Sequence, residues 1–171
     1  MNNSLNIPIK LVALDMDGTT LRSDGTLSPR NRDAIIMAME RGVAVAIATG
    51  RPLEVLPGNV LREVDIRYAI TSNGANVADL KEKRSLYVNT MKGRALTDVC
   101  SFLRKYDLLI EGFVDGRPYM DKGWVKRAQG YGLPEYYLKY ALKTRHPVED
   151  LLGFLERAET GVENINIDFG D

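Results

Sequence analysis

The sequence has very little of several features that define particular protein classes. Its one cysteine, Cys100, cannot form an internal disulfide or a multi-cysteine zinc site. Lys plus Arg and Asp plus Glu number 23 each, so no overall basic field attracts nucleic acid or anionic lipid. No apolar run approaches the ~20 residues of a membrane span, and residues 1–6 lack the basic start and apolar core of a signal peptide. We therefore expect a cytoplasmic protein that binds neither nucleic acid nor a membrane.

The scarce reactive side chains give weak signals for catalysis. Cys100 lies next to Phe102 and Leu103 in the sequence, which favours a buried packing thiol over a nucleophile. The only histidine, His146, stands beside a proline in a turn-like stretch, which favours a surface role over catalysis. The length of 171 residues, with 44% hydrophobic and 27% charged residues, fits one globular domain or one domain with a sizeable insertion.

The stretch that organises the rest of the chain is residues 10–20. The continuous apolar run at 11–14 is typical of a strand buried on both faces of a parallel sheet. It ends at Asp15, and Asp17 follows two residues later. If strand geometry continues for one step, both carboxylates point to the same side, at the sheet edge where open α/β sheets bind ligands. Gly18 then permits a tight turn with positive φ.

This pair of acids favours phosphoryl transfer with a divalent cation. Two carboxylates this close repel each other unless a cation or a shared proton intervenes, and Mg²⁺ prefers a few carboxylate oxygens with phosphate and water. One acid can attack phosphorus while its neighbour moves the proton. The hydroxyl of Thr19 can bond the turn or an anion. The alternative is a turn with two solvated acids that caps the next element.

A second polar cluster follows the next apolar strand. A helix that starts at Ser28-Pro29 and an apolar run at 43–48 complete a strand–helix–strand unit with parallel strands. The run ends in Thr49-Gly50-Arg51, where glycine lets backbone N–H groups approach an anion and the guanidinium can pair bidentately with phosphate. Alone, this stretch reads as a plain strand-to-helix turn. Because it follows the acidic motif by one strand–helix–strand unit, we predict that it forms an anion site together with that motif.

The third strand leads into a turn and then a different pattern. Residues 67–71 predict a strand before Ser72-Asn73-Gly74-Ala75, and Asn-Gly is a strong hairpin signal, so 76–79 and 86–89 are predicted to pair. Asn73 is either a substrate-side residue or a turn residue only.

From residue 91 onward an α+β segment is predicted. It comprises a helix near 95–103, hairpin strands at 108–114 and 117–120, helices at 134–142 and 148–158, and a strand at 162–169. Its aromatic cluster either packs in the core or forms a lip over the substrate: Trp124, Tyr131, Tyr136, Tyr137 and Tyr140.

The motif D-M-D-G-T-T after an apolar strand, followed one unit later by T-G-R-P, resembles the first two motifs of the haloacid dehalogenase-like hydrolases, which are mostly phosphatases. The S-N-G-A stretch is similar to the Cof-like branch of that family. The resemblance implies an α/β fold with an incomplete Rossmann-like parallel-sheet core at residues 1–90. It also implies that residues 91–171 are part of an inserted α+β cap.

The resemblance implies a role for each acid. Asp15 is the nucleophile and a metal ligand, and Asp17 is the general acid/base and a ligand through its backbone carbonyl. Mg²⁺ is the implied cofactor, and small phosphorylated metabolites (sugar phosphates, flavin mononucleotide or pyridoxal phosphate) are the implied substrates. The predicted phosphate and substrate contacts are Gly18, Thr19, Thr49, Gly50, Arg51, Asn73 and Gly74.

Two features of the family cannot be placed in the sequence. One is a lysine that steadies the nucleophile, since Lys122 and Lys126 lie inside the predicted cap. The other is a G-D-x-x-x-D stretch that completes the Mg²⁺ shell: residues 170–171 match its first two letters, but residues 162–169 before them fit a cap strand better, so we interpret this match as chance. We therefore expect a chain truncated within the cap. Its inner strand would be an open edge, which favours self-association.

Three functions stay open at this point. The first is a Mg²⁺-dependent phosphatase that works through an aspartyl phosphate. The second is a catalytically inactive fragment that serves as a binding or interaction module, which the two unplaced motifs favour. The third is a phosphomutase, since mutases of the same superfamily share the first motif.

Overall fold

Two β-sheets organise residues 8–168, which are the residues that the computed structural model describes. The first sheet contains, in spatial order, β1 (Leu11–Asp15), β2 (Ala44–Ala48), β3 (Tyr68–Thr71), β4 (Asn76–Asp79) and β5 (Arg84–Val88). The second sheet contains, in spatial order, β8 (His146–Val148), β7 (Arg117–Asp121), β6 (Leu109–Val114) and β9 (Asn164–Asp168). The α-helices are α1 (Pro29–Glu40), α2 (Gly58–Glu63), α3 (Gly93–Leu103), α4 (Trp124–Ala128), α5 (Glu135–Thr144) and α6 (Leu151–Glu156).

The first sheet has the predicted α/β architecture. Strands β1, β2 and β3 are parallel, and β4 and β5 are added antiparallel as a hairpin. Helix α1 connects β1 to β2. Its start is capped by the Ser28 hydroxyl, which accepts a hydrogen bond from the Asn31 N–H at 3.0 Å. Parallel strands place their carboxyl ends at one edge, so the residues after β1 and β2 lie close together.

The prediction that β1 is buried on both faces is wrong. Its residues alternate between exposed and partly exposed, and Leu11 is 55% exposed. By contrast, β2 buries Val45, Ala46 and Ile47. The difference arises because, within residues 8–168, β1 pairs on one side only and forms the edge of the sheet. The expectation of an open inner edge is therefore confirmed for the described residues.

The second sheet contains the predicted hairpin of β6 and β7, with β9 on the other side of β6. Ile165 and Ile167 of β9 pack against one apolar cluster, as expected from their alternation. The short strand β8 and the short helix α4 were not predicted. The helix predicted at 148–158 begins later, at Leu151, because β8 uses Val148 and the Asp150 carboxylate caps the helix at the Gly153 N–H, 3.0 Å away.

Hydrogen bonds connect the two sheets directly. The Glu163 carboxylate, just before β9, accepts from the Ser72 hydroxyl at 2.6 Å and from the Gly116 N–H at 2.9 Å. The His146 ring nitrogen lies 2.7 Å from a Glu54 carboxylate oxygen. These contacts fix the second sheet over the carboxyl edge of the first.

Some sequence-based expectations concern residues outside 8–168. They are the expectation that residues 1–6 are not a signal peptide, the last residue of the strand predicted at 162–169, and the interpretation of the Gly-Asp pair at 170–171. The division into a core at 1–90 and a cap at 91–171 stays a prediction. Within the described residues, no helix combines the length and the apolar character needed to span a bilayer.

Candidate functional site

The first acidic motif ends β1 and turns at once. Met16–Thr20 forms a turn closed by the Leu21 N–H, which donates to the Met16 carbonyl at 2.9 Å, and Gly18 adopts φ 75° within it, as the sequence predicts. Strand geometry therefore stops at Asp15, and the two carboxylates have different partners. The Thr19 hydroxyl donates to Asp15 Oδ2 at 2.6 Å, whereas Asp17 interacts with the second motif.

Arg51 binds Asp17 in a bidentate ion pair. Its Nε donates to Oδ2 at 2.8 Å and its Nη2 donates to Oδ1 at 2.6 Å. The hydrogen bond to Asp17 raises the pKa of the Arg51 guanidinium, against the opposing effect of burial. The Asp17 side chain is 54% exposed, so solvent screens this pair. The structure thus joins the two predicted motifs through a partly exposed ion pair.

Backbone packing fixes the rest of the second motif. The Thr49 hydroxyl accepts from the Arg51 N–H at 3.2 Å, and the Asn73 N–H donates to the Thr49 carbonyl at 3.3 Å. A Cβ at Gly50 would lie 2.9 Å from Asn73 Oδ1, so any larger residue there would force the Asn73 side chain to move. Gly74 adopts φ 95°, which glycine tolerates.

A cavity of about 320 Å³ opens where these residues face the second sheet. We call its two sides the first wall and the second wall. The first wall consists of Asp17, Thr49, Gly50, Arg51, Pro52 and Asn73. The second wall consists of Phe113, Tyr137, Tyr140, Arg145 and Asn166.

The predicted site residues divide between this cavity and its surroundings. Asp17, Thr49, Gly50, Arg51 and Asn73 line it. Asp15, Gly18 and Thr19 belong to the same turn as Asp17 but are not part of the lining. Gly74 lines a separate cavity of about 660 Å³.

The second wall is built around a buried ion pair. Arg145 donates from Nε to Glu111 Oε1 at 3.1 Å and from Nη2 to Glu111 Oε2 at 2.9 Å. The two side chains are 5% and 0% exposed. The Tyr137 hydroxyl donates to Glu111 at 3.4 Å, and burial raises the pKa of that tyrosine strongly, with the Glu111 charge adding to it. Removing one partner would leave a buried charge uncompensated.

Tyr140 connects the two walls. The guanidinium carbon of Arg51 lies 5.7 Å from the Tyr140 ring centroid, and that of Arg145 lies 4.8 Å from it. Both distances are within the range of cation–π attraction. The aromatic cluster divides between the core and the cavity, and its role over a substrate stays a prediction. Tyr140 lines the cavity, while Trp124 is fully buried and lies 6.2 Å from the Tyr137 ring.

Sequence reasoning missed Glu111, Arg145 and Asn166. They lie on β6, just before β8, and on β9, and only packing brings them together. The sequence offered one sign of these residues, which is the acidic Glu111 inside the otherwise apolar strand predicted at 108–114. Neither Cys100 nor His146 lines this cavity. Cys100 is fully buried, and burial raises the pKa of its thiol.

The acidic ligand set within residues 8–168 is small. No group of three or more His, Cys, Asp or Glu side chains is arranged to hold a metal ion in this part of the chain. Lys122, which lies inside the predicted cap, pairs with Glu149. Neither Lys122 nor Lys126, the other lysine considered for the nucleophile, lies in the cavity lining.

Comparison with known families decides the classification. The family model described as haloacid dehalogenase-like hydrolase matches residues 12–165, which include both motifs and most of the second sheet. The chain belongs to this family. The resemblance noted in the sequence, including that to the Cof-like phosphatases, is confirmed, and several of the curated relatives that the chain matches are named as phosphatases.

Two curated relatives illustrate the range of the family. A 5-amino-6-(5-phospho-D-ribitylamino)uracil phosphatase of Bacillus subtilis is 36% identical over 88 residues, which cover 49% of this chain and 35% of the relative. A pyridoxal phosphate phosphatase of Escherichia coli is 31% identical over 117 residues, which cover 68% of this chain and 40% of the relative. This haloacid dehalogenase-like chain thus spans well under half the length of these relatives.

A solved structure shows the same fold. A haloacid dehalogenase-like hydrolase of Bacillus subtilis superposes with a TM-score of 0.67 over 94% of this chain and 59% of its own length, at 24% sequence identity. The predicted α/β fold of Rossmann type is therefore confirmed.

Proposed function

We propose that this haloacid dehalogenase-like chain carries the phosphoryl-transfer site of a Mg²⁺-dependent phosphatase, which acts on small phosphorylated metabolites through an aspartyl phosphate. The observation that carries the proposal is the meeting of Asp17, Thr49 and Arg51 at one cavity beside Asp15. A carboxylate nucleophile, a second acid, a hydroxyl and a guanidinium are the groups that phosphoryl transfer needs in one place.

The proposed first step uses both acids. A carboxylate oxygen of Asp15 attacks phosphorus, the bond from phosphorus to the leaving oxygen breaks, and Asp17 gives a proton to that oxygen. In the second step Asp17 takes a proton from water, and the resulting hydroxide attacks the aspartyl phosphate and releases phosphate. Asp15 is thereby restored.

Arg51 must change partners during this sequence. Asp17 accepts two N–H bonds from Arg51 in the structure, and a protonated carboxyl has less acceptor capacity than a carboxylate. The arrival of a phosphoryl group offers the guanidinium a bidentate acceptor with more charge. We propose that Arg51 then turns from Asp17 to the phosphoryl oxygens, which frees Asp17 to hold a proton.

The donor set fits Mg²⁺ when phosphate is present. Asp15 Oδ1 has no hydrogen bond from within residues 8–168, whereas Oδ2 is bonded by Thr19. Mg²⁺ is commonly held by one or two carboxylates together with substrate phosphate and water. The Asp15 carboxylate and the Asp17 backbone carbonyl would hold it here, and its charge would stabilise the transferred phosphoryl group.

The names of two relatives support the proposed substrate class. Two of them are named for action on a phosphorylated ribitylaminouracil and on pyridoxal phosphate, which are both small monophosphates with one ring. We propose a monophosphate of this size for this chain. We also propose that residues 91–171 act as the cap that excludes water during transfer, and that the protein works in the cytoplasm.

A non-catalytic role is the second candidate. It is favoured by the small acidic set within residues 8–168 and by the exposed edge of β1, which can pair with another strand. Such a chain would bind phosphate or a second copy of itself without turnover.

The test is phosphate release from p-nitrophenyl phosphate and a sugar phosphate panel, with and without Mg²⁺. The chain is compared with its Asp15→Asn variant, and Asp33→Asn, an exposed acid on α1 outside the cavity, is the control. We expect Mg²⁺-dependent release that Asp15→Asn abolishes and Asp33→Asn retains. Equal release from Asp15→Asn and from the unaltered chain would refute the assignment, and no release at all would favour the non-catalytic role.

A further inference from the structure

We propose that the second wall is a leaving-group pocket that accepts an uncharged group rich in oxygen acceptors and rejects a second anionic group. Arg145 and Asn166 supply the donors, and Glu111 cancels the charge of the arginine. The inference rests on the proposed function, since it assigns the half of the cavity opposite the phosphoryl site.

Arg145 presents donors that packing holds still. A guanidinium has five N–H groups. Glu111 accepts from Nε and Nη2, and Thr144 Oγ1 accepts from Nη1 at 2.8 Å. The Tyr140 side chain also contacts the guanidinium, so part of its remaining donor capacity is shared with that tyrosine. Because both Arg145 and Tyr140 line the cavity, we assign the polar edge that they form to oxygen acceptors of the leaving group.

Asn166 adds a neutral donor on the same wall. Its Oδ1 accepts from Asn164 Nδ2 at 2.5 Å, which leaves its own amide nitrogen able to donate to a ligand. Arg145 and Asn166 thus both offer donors on the second wall, and hydroxyl or carbonyl oxygens match them. The cavity volume of about 320 Å³ lies at the small end for ligand sites, which run from roughly 300 Å³ upward.

The charges of the second wall cancel. Glu111 is fully buried against Arg145, so the pair is neutral overall. Asp168 on β9 is a further acid near this pair, because burial and then the Glu111 charge raise the pKa of its carboxyl, and an acid adds no positive charge to the wall. Across the cavity, Arg51 is committed to Asp17 or to the phosphoryl group.

A second anion on this wall would lose water without gaining an unpaired cation, which is unfavourable. The wall therefore selects monophosphates over bisphosphates. A phosphomutase that works through a sugar bisphosphate would need the opposite charge balance.

The test measures binding to the Asp15→Asn chain. This variant lacks the proposed nucleophile, so the phosphorylated ligands are not hydrolysed during the measurement. Calorimetry with Mg²⁺ compares inorganic phosphate, fructose 6-phosphate and fructose 1,6-bisphosphate. Asn166→Lys places a cation on the second wall, and Asn166→Asp, nearly the same size, places an anion there. Asp98→Asn, on an exposed face of α3, makes the same change in net charge as Asn166→Lys away from the cavity.

We expect the monophosphate to bind at least as tightly as the bisphosphate. We expect Asn166→Lys to shift the affinity ratio about tenfold toward the bisphosphate, Asn166→Asp to shift it the other way, and Asp98→Asn to leave it unchanged. A tenfold preference for the bisphosphate before substitution, or a ratio that neither Asn166 variant changes, would overturn this inference alone. Failure of all three ligands to bind both to Asp15→Asn and to the unaltered chain would overturn the proposed function together with it.

Discussion

The two walls of the cavity are built in opposite ways. The first wall comes from short stretches that follow neighbouring strand ends, and its ion pair of Asp17 and Arg51 is open to solvent. The second wall comes from distant positions, and its ion pair of Glu111 and Arg145 is buried. An exposed pair exchanges partners at little cost, whereas a buried pair is fixed. The first wall is thus suited to changing contacts during chemistry, and the second to holding one shape and charge.

The largest expected effect, which tests whether the second wall depends on its buried ion pair, is that of Glu111→Gln. Removing the carboxylate leaves Arg145 buried without its counter-charge, so we expect the free energy of unfolding to fall by about 3–5 kcal/mol. Urea titration followed by circular dichroism measures it. Glu156→Gln, which weakens a more exposed pair with Arg104, is the control, and we expect a change of less than about 1 kcal/mol. Equal losses in both variants would show that the second wall does not depend on its buried pair.

The matching change on the first wall is Arg51→Lys. Lysine keeps the charge but cannot bind a phosphoryl group bidentately, so we expect turnover to fall roughly 10²- to 10³-fold, the usual cost of one transition-state donor. The free energy of unfolding should change little, because the pair is exposed. Steady-state kinetics and urea titration together measure both effects. A large loss of stability with unchanged turnover would reverse the roles assigned to the walls.

The contact that holds the walls together is tested by Glu163→Ala. This change leaves the Gly116 N–H and the Ser72 hydroxyl without their acceptor. Unsatisfied buried groups of this kind cost about 1–3 kcal/mol, measurable by urea titration. Glu149→Ala, at a position that is 80% exposed, is the matched control. If both variants unfold at the same urea concentration, Glu163 does not brace the two sheets.

The smallest expected effect is a difference in pH dependence between the two regions. On the first sheet, hydrogen bonds from Arg67 and from backbone N–H groups lower the pKa of Asp79. Its contribution is therefore present above the unfolded pKa and is lost as pH falls through the folded pKa. On the second sheet, burial raises the pKa of Asp168, so its contribution is present below the unfolded pKa and is lost as pH rises through the folded pKa.

We expect Asp79→Asn to reduce the acid-induced loss of stability and Asp168→Asn to reduce the loss as pH rises from acid toward neutral. Unfolding is measured from about pH 7 down to the lowest pH at which the chain still folds, because the Asp79 window lies below the ordinary carboxyl pKa and the Asp168 window lies above it. Parallel pH profiles in the two variants would contradict these opposite shifts.

The same comparison explains what sequence reasoning could reach. Asp15, Asp17, Thr49 and Arg51 lie in short motifs after strands, and parallel topology alone brings such motifs together. Glu111 and Arg145 are 34 positions apart and meet only because the second sheet packs as it does. The position of β1 was predicted correctly, but its burial was predicted wrongly. Burial depends on which elements cover a strand, and the apolar run at 11–14 does not show that β1 lies at the edge of the sheet.

The most direct test of the account is to find where the phosphoryl group goes. The chain is incubated with p-nitrophenyl phosphate and Mg²⁺, quenched in acid and digested, and its peptides are analysed by mass spectrometry. We expect one phosphoryl group on the peptide that contains Asp15, absent from the Asp15→Asn variant. Phosphate release without this adduct, or an adduct that persists in Asp15→Asn, would contradict the assignment of Asp15 as the nucleophile.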